Sequence, residues 1–215
     1  ACLDFVRDQA KEYNRSGKPF FGLFAAQIPH GPFAEVEKLP MWDQDYQDKP
    51  FFSELSPQSR QWCAMVTRID AHFGNILNAL EDPNEDGDKS DSVVQNTLVV
   101  FQSDNGGPGG KNREELNANG GLLGSKGSIY EGGIRVPTIM RWPKKITQKT
   151  KLKKGTSTHL VIDCSDLLPT FCELAGAPIP LGVSGVSLAP TLTGSGEQKV
   201  RDFLVHETNG QASII

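Results

Sequence analysis

The sequence has 215 residues and a formal net charge of −4, so it is long enough for one sizeable core or for one domain and part of another. The mild negative charge gives no electrostatic case for binding nucleic acid or an anionic membrane surface. No apolar stretch approaches the length that spans a bilayer. Cys2, Cys63, Cys164 and Cys172 form no CxxC pair, which argues against a zinc site or a dithiol motif. The sequence leaves open whether these cysteines are buried free thiols or disulfide partners.

The first predicted elements are a short helix and a buried strand. Residues 3–14 carry apolar side chains on one side of a helix, and residues 19–26 form an apolar run typical of a buried strand. A stretch containing proline and acidic residues, roughly 33–55, is predicted to lie on the surface.

A long helix and a second strand follow. Ser56 and Pro57 supply an N-cap and a first helical residue, and apolar residues then recur at helical spacing to residue 81. The unbroken apolar run 98–101 predicts a central strand that is covered on both faces. Together with residues 19–26, this order predicts a βαβ unit with a parallel strand pair.

The later part of the chain alternates predicted elements with polar connections. Residues 134–142 are strand-like, and the lysine-rich stretch 144–155 is predicted to be a solvated loop. A second helix is predicted to begin at a Ser165 cap and to end at Gly176, with one more strand at 203–205.

Two adjacent oxygen-bearing side chains, Asp104 and Asn105, follow the strand at 98–101. Open α/β sheets place ligands beyond the carboxyl ends of their strands. A carboxylate beside an amide carbonyl suits Ca²⁺ or Mg²⁺ better than Zn²⁺. An Asx turn would use the same Asp-Asn-Gly-Gly sequence equally well, so the segment by itself leaves both interpretations open.

Two further polar side chains, His30 and Lys126, lie on predicted loops. His30 stands between prolines just after the strand at 19–26, and proline makes a loop rigid. A lone histidine is more often a structural hydrogen-bonding residue than a catalyst. Lys126 lies among glycines and serines, where it can face an anion or simply be a surface lysine.

Longer segments around these residues resemble the signature segments of the type I sulfatase (arylsulfatase) family of the alkaline phosphatase-like superfamily. They agree in order and spacing over nearly the whole chain, and they are residues 19–32, 103–107, 120–137, 166–176 and 185–188.

The resemblance implies a fold and a domain division. The expected fold class is α/β, a mostly parallel or mixed central sheet flanked by helices, as in a truncated sulfatase core. Residues 1–196 would be a partial sulfatase α/β domain, and residues 197–215 would begin the small C-terminal antiparallel sheet domain. The chain would be the central-to-late portion of a sulfatase, either an excised fragment or a molecule separated from its other half.

The resemblance also implies roles for individual residues. Asp104 and Asn105 would be ligands of one divalent cation, usually Ca²⁺, with Mg²⁺ as the alternative. Lys126 would contact the sulfate oxygens, and His30 would help the alcohol leave. The family's nucleophile is a formylglycine made from Cys or Ser. Glu131 and Arg135 belong to the same signature and are expected to be structural.

Part of the family's active site is missing from this sequence. No Cys or Ser has Pro two positions later, so the formylglycine motif is absent, and no Asp-Asp pair is present to complete the metal site. We therefore expect the isolated chain to hydrolyse no sulfate ester and to bind Ca²⁺ poorly. The substrate would be a sulfated small molecule or glycan, in a periplasmic, secreted or lysosomal protein, although the chain has no signal-like segment. Its sequence gives no indication of oligomeric state.

Three alternatives stay open. A phosphonate or phosphodiester hydrolase of the same superfamily would use the same nucleophile. A sulfated-glycan-binding pseudoenzyme would use lysines at 144–154 as a local patch. Separately, Asp82 to Asp88 matches the opening of a calcium loop, but Val93 occupies the position of its closing glutamate, which favours a solvated acidic loop.

Overall fold

A computed structural model of the protein describes residues 1–32, 46, 48–146, 155–208 and 210–215. The chain divides into two compact units. The first contains Ala1–Val94 with Gly107–Gly121, and the second contains Gln95–Gly106 with Leu122–Ile215.

Helices form the first unit. Helix α1 spans Cys2–Ser16, helix α2 spans Pro57–Glu81 and helix α3 spans Lys111–Leu116. Both helix predictions in this unit are confirmed. The Ser56 hydroxyl caps α2 by accepting the Ser59 N–H, as its position before a proline predicts.

Helices α1 and α2 pack against each other. Their buried hydrophobic side chains include Val6 and Ala10 of α1, and Ala64, Met65, Ala79 and Leu80 of α2.

A smaller cluster in this unit contains Phe52, Leu55 and Cys63, with Tyr46 stacked on Phe52 at a ring-centroid separation of 5.6 Å. The surface prediction for 33–55 is therefore wrong at Phe52 and Leu55, because both pack beside α2. Residues 33–45 and 47 lie outside the described residues.

The strand predicted at residues 19–26 does not form. No described residue pairs with this segment as a neighbouring strand, and residues 21–27 are exposed. Phe20 and Phe24 instead pack edge-on against Phe5 of α1, with centroids 6.3 and 6.0 Å away. An apolar run becomes a strand only when another strand accepts its hydrogen bonds, and here its aromatic side chains contact a helix.

The second unit contains the strand that precedes Asp104. Strand β1 (Val99–Gln102) pairs antiparallel with strand β2 (Thr138–Arg141), and the short helix α4 (Glu131–Ile134) lies between them in the chain. The predicted strands at 98–101 and 134–142 are confirmed within narrower bounds. The prediction of a parallel βαβ pair is wrong, since β1 pairs with β2 in antiparallel orientation. Strand β1 is half-buried along its length, whereas the sequence predicts a strand covered on both faces.

The remaining elements of this unit are helices α5 (Leu167–Ala175) and α6 (Ala189–Thr193) and the antiparallel hairpin of β3 (Val205–Thr208) and β4 (Gln211–Ile214). Helix α5 ends at Gly176 in the left-handed conformation, as predicted. The N-cap prediction is wrong, because Asp163 accepts the Ser165 N–H and caps a 3₁₀ turn that leads into α5.

The hairpin of β3 and β4 lies within residues 197–215, and the predicted domain boundary at 196/197 stays a prediction. Among the described residues, no helix combines the length and apolar character needed to cross a bilayer. All four cysteines are described and are free thiols.

Candidate functional site

The end of β1 presents Asp104 and Asn105 on a short constrained turn. The Ser103 N–H donates to the Pro137 carbonyl at 3.3 Å, and the Ser103 hydroxyl donates to the Asn105 carbonyl at 2.9 Å. The Asn105 side-chain N–H donates to the Gly106 carbonyl at 3.0 Å, which leaves its Oδ1 as an acceptor. Asp104 is exposed, and its carboxylate has no hydrogen bond or ion pair with any described residue.

Lys126 lies in a tight turn formed by residues 125–128. The Ser128 N–H donates to the Ser125 carbonyl at 3.0 Å, and the Ser125 N–H donates to the Ser128 hydroxyl at 3.2 Å. Gly127, at the third position of this turn, has a φ of +86°, which glycine adopts without strain. Lys126 at the second position is exposed and forms no ion pair within the described part of the chain.

A close backbone contact connects these two segments through α4. The Gly106 N–H donates to the Gly133 carbonyl at 2.8 Å, and the Gly132 N–H donates to the Leu123 carbonyl at 2.7 Å. A Cβ atom on Gly106 would lie 2.0 Å from the Gly132 carbonyl oxygen, so only glycine fits. The metal-ligand segment and the lysine turn therefore contact the same short helix.

Sequence reasoning missed these contact glycines. The doublets Gly106-Gly107 and Gly132-Gly133 were the signal, since adjacent glycines often mark a close approach of two backbones. The neighbouring pair of Glu131 and Arg135 is joined by a 3.3 Å ion pair, and its side chains are 46 % and 68 % exposed. An ion pair this exposed adds little stability.

His30 belongs to the first unit, whereas Asp104, Asn105 and Lys126 belong to the second. The His30 N–H donates to the Gln27 carbonyl at 3.0 Å, and its Nδ1 lies 2.6 Å from the Gly31 carbonyl oxygen. Because a carbonyl only accepts, Nδ1 carries the hydrogen in this contact. Nε2 is therefore the nitrogen left for proton exchange with a ligand.

Asp104 and Asn105 have donor atoms of the right kind for a hard cation, but they form only part of a ligand set. Ca²⁺ takes six to eight oxygen ligands. The described residues contain no group of three or more His, Cys, Asp or Glu side chains placed to hold a metal ion. Further ligands would have to come from other groups.

The acidic loop that begins at Asp82 uses its oxygens within the loop. Asp82 accepts the N–H groups of Glu85 and Gly87 at 2.9 and 3.0 Å. Asp86 accepts the Asp88 N–H at 2.8 Å and the Asn84 side-chain N–H at 2.9 Å. The contact between Asp86 and the Asp88 N–H is that of an Asx turn, and together these hydrogen bonds within the loop favour its interpretation as a solvated loop.

Known proteins resemble this chain over the segments that carry His30, Asp104, Asn105 and Lys126. The family described as "Sulfatase" matches residues 3–177. A protein named Sulfatase from Formosa agariphila is 36 % identical over 208 residues, which cover 94 % of this chain and 34 % of that protein. Human steryl-sulfatase is 33 % identical over 160 residues, covering 70 % of this chain and 24 % of that protein.

Solved structures of other proteins also resemble this chain. One is Ps i-CgsB in complex with k-i-k-neocarrahexaose, with a TM-score of 0.66 and 26 % identity, covering 99 % of this chain and 43 % of that one. A putative sulfatase from Bacteroides fragilis has a TM-score of 0.64 and 24 % identity, covering 91 % of this chain and 41 % of that one, and this likeness bears on the fold alone. The predicted fold class, an α/β sulfatase core, is confirmed.

The chain spans about a third or less of the length of these curated relatives. The family model nevertheless matches well over half of the chain, and a relative above 30 % identity aligns with nearly all of it. This chain belongs to the Sulfatase family.

Proposed function

We propose that the protein carrying this chain hydrolyses sulfate esters. Asp104 and Asn105 would hold one divalent cation, Lys126 would bind the sulfate oxygens, and His30 would donate a proton to the leaving alcohol. The nucleophile would be a formylglycine supplied from outside these 215 residues.

One observation supports this assignment above the others. The 2.8 Å hydrogen bond from Gly106 to Gly133 joins the segment carrying Asp104 to the helix that packs on the turn of Lys126. Both side chains are exposed, and neither is used in an ion pair among the described residues. A cation ligand and an ammonium group are thus available in one compact unit.

The chemistry of the four residues suits sulfuryl transfer. A bound cation would neutralise charge on the nucleophile and on the sulfate. The Lys126 ammonium would stabilise the negative charge that develops on the sulfate oxygens. With Nδ1 of His30 donating to the Gly31 carbonyl, a protonated imidazole has its Nε2–H left to donate to the leaving oxygen.

The proposed substrate class is a sulfated glycan or a smaller sulfate ester. A similar solved structure holds a neocarrahexaose, which is an oligosaccharide. A phosphonate or phosphodiester hydrolase is the competing activity, and it is distinguished by comparing turnover of a sulfate ester with that of a phosphate diester.

The direct test is steady-state turnover of a chromogenic aryl sulfate by the full-length protein. Lys126→Ala is expected to lower kcat by about 10²- to 10³-fold, the usual effect of removing one charge-stabilising donor. Lys199→Ala, an exposed lysine of the same unit, is the control and should leave turnover unchanged. Equal turnover by the two variants would exclude the role of Lys126.

The role of His30 needs a second substrate. His30→Ala should slow an alkyl sulfate far more than a nitrophenyl sulfate, because nitrophenolate leaves without a proton. An equal effect on both substrates would exclude proton donation. The 215-residue chain by itself, assayed in parallel, is expected to give no turnover.

A further inference from the structure

We propose that Gly133 is a positioning residue, which sets the lysine turn of residues 125–128 against the strand end that carries Asp104 and Asn105. The expected effect on catalysis rests on the proposed function. The contact of Gly133 with the two segments can be tested without measuring any activity.

One side of Gly133 contacts the lysine turn. A Cβ atom on Gly133 would lie 2.2 Å from the Ser128 carbonyl oxygen, 2.6 Å from the Ser125 carbonyl oxygen and 2.7 Å from the Ser128 hydroxyl. Ser125 and Ser128 are the two ends of the turn, and they are joined by a backbone and a side-chain hydrogen bond. Gly133 therefore lies directly against the base of the turn that presents Lys126.

The other side of Gly133 contacts the strand end. Its carbonyl oxygen accepts the Gly106 N–H at 2.8 Å, and its Cα lies 2.8 Å from the position of a Cβ on Gly106. Gly106 immediately follows Asn105. One buried glycine of α4 thus contacts both segments through backbone atoms.

A methyl group at position 133 cannot be accommodated by a side-chain movement. Two of the three atoms it would meet are backbone carbonyl oxygens, and the third is the hydroxyl that closes the turn. The turn would have to move away from α4, and Lys126 would move with it relative to Asp104. A displacement near 1 Å can lower an enzymatic rate about 10²-fold.

Three variants and one control distinguish a displaced lysine turn from a general loss of folding. Gly133→Ala tests the contact, Ser128→Ala removes the hydroxyl that accepts the Ser125 N–H, and Ser128→Thr restores a hydroxyl at that position. Gly74→Ala is the control, since a methyl group on this glycine of α2 would meet no atom within 4 Å and the chemical change is the same.

The first readout is hydrogen exchange followed by mass spectrometry on the full-length protein. Gly133→Ala and Ser128→Ala should speed exchange of the Gly106 amide about tenfold or more, as expected if the opening free energy falls by about 1.4 kcal/mol. Exchange in β1 and β2 should be unchanged, and exchange of the Gly106 amide should be unchanged in Gly74→Ala. Unchanged exchange at Gly106 in both variants would overturn the inference.

The second readout is kcat and KM for an aryl sulfate, measured well below the melting temperature of each variant. We expect kcat/KM to fall about 10²-fold in Gly133→Ala, less in Ser128→Ala, and to recover in Ser128→Thr. Faster exchange with unchanged kcat/KM would overturn the positioning role. If the wild type hydrolyses no sulfate ester, the proposed function fails, and faster exchange still supports the contact through Gly133.

Discussion

The Arg201 guanidinium forms an ion pair with the Asp166 carboxylate, whose side chain is 1 % exposed. Asp166 also accepts the N–H groups of Val186 and Asp163, at 2.7 and 2.8 Å. A single carboxylate therefore joins the start of α5 to two later parts of the second unit. Buried charges of this kind are strongly coupled to folding, because no water replaces a lost partner.

Arg201→Met is expected to lower the free energy of unfolding of the second unit by about 3 kcal/mol, the lower part of the range for breaking a buried pair. Urea denaturation would measure the change. Arg135→Met breaks an exposed pair of the same unit and should cost less than about 1 kcal/mol. Similar losses in the two variants would show that the Asp166 pair is not buried in solution.

Leu80→Ala tests the burial of the end of α2 in the first unit. Leu80 is 2 % exposed, so its truncation should cost about 2–5 kcal/mol through lost burial and the cavity that remains. Leu23→Ala makes the same change in the segment that lacks strand structure, where the side chain is 82 % exposed, and should change stability by less than about 0.5 kcal/mol. A large loss in Leu23→Ala would mean that residues 19–26 pack as their sequence predicts.

Glu115 predicts a specific pH dependence. Hydrogen bonds from the Ser59 hydroxyl, and from the N–H and hydroxyl of Ser56, lower the pKa of Glu115 below its ordinary value of 4.5. A carboxyl group whose pKa is lower in the folded than in the unfolded protein stabilises the folded state at pH values above its unfolded pKa. This stabilisation is lost as the pH falls through the pKa of the folded state. Wild type should therefore be more stable than Glu115→Gln at about pH 6, and the difference should vanish well below pH 4.5.

Urea midpoints at a series of pH values would measure this difference. Glu114→Gln, in the exposed pair with Lys111, is the matched control and should follow the wild-type profile. A difference between wild type and Glu115→Gln that is constant with pH would rule out the carboxylate as its source.

Calcium titration distinguishes the two interpretations of the acidic loop. Because Asp86 already accepts two hydrogen bonds within the loop, Asp86→Ala should lower stability slightly and leave calcium binding unchanged. Isothermal calorimetry on both forms checks this. Loss of a binding event in the variant would assign the loop as a calcium site.

Local sequence determined several features correctly. The Ser56 cap, Pro57 and the helical spacing after them predicted α2 to the residue, because the hydrogen bonds and caps of a helix are made within a few residues along the chain. The segments around His30, Asp104 and Lys126 indicate the family from sequence alone, since each combines a polar side chain with prolines or glycines in a fixed order.

Tertiary structure alone decided how the strands pair and how the candidate site is held. Apolar runs at 19–26 and 98–101 look alike as sequences, yet within the described part of the chain only the second has a strand, β2, to accept its hydrogen bonds. The contact of Gly133 with Gly106 likewise joins residues far apart in the chain. Helical structure follows from near neighbours, whereas strand pairing and backbone contact depend on which distant segments meet.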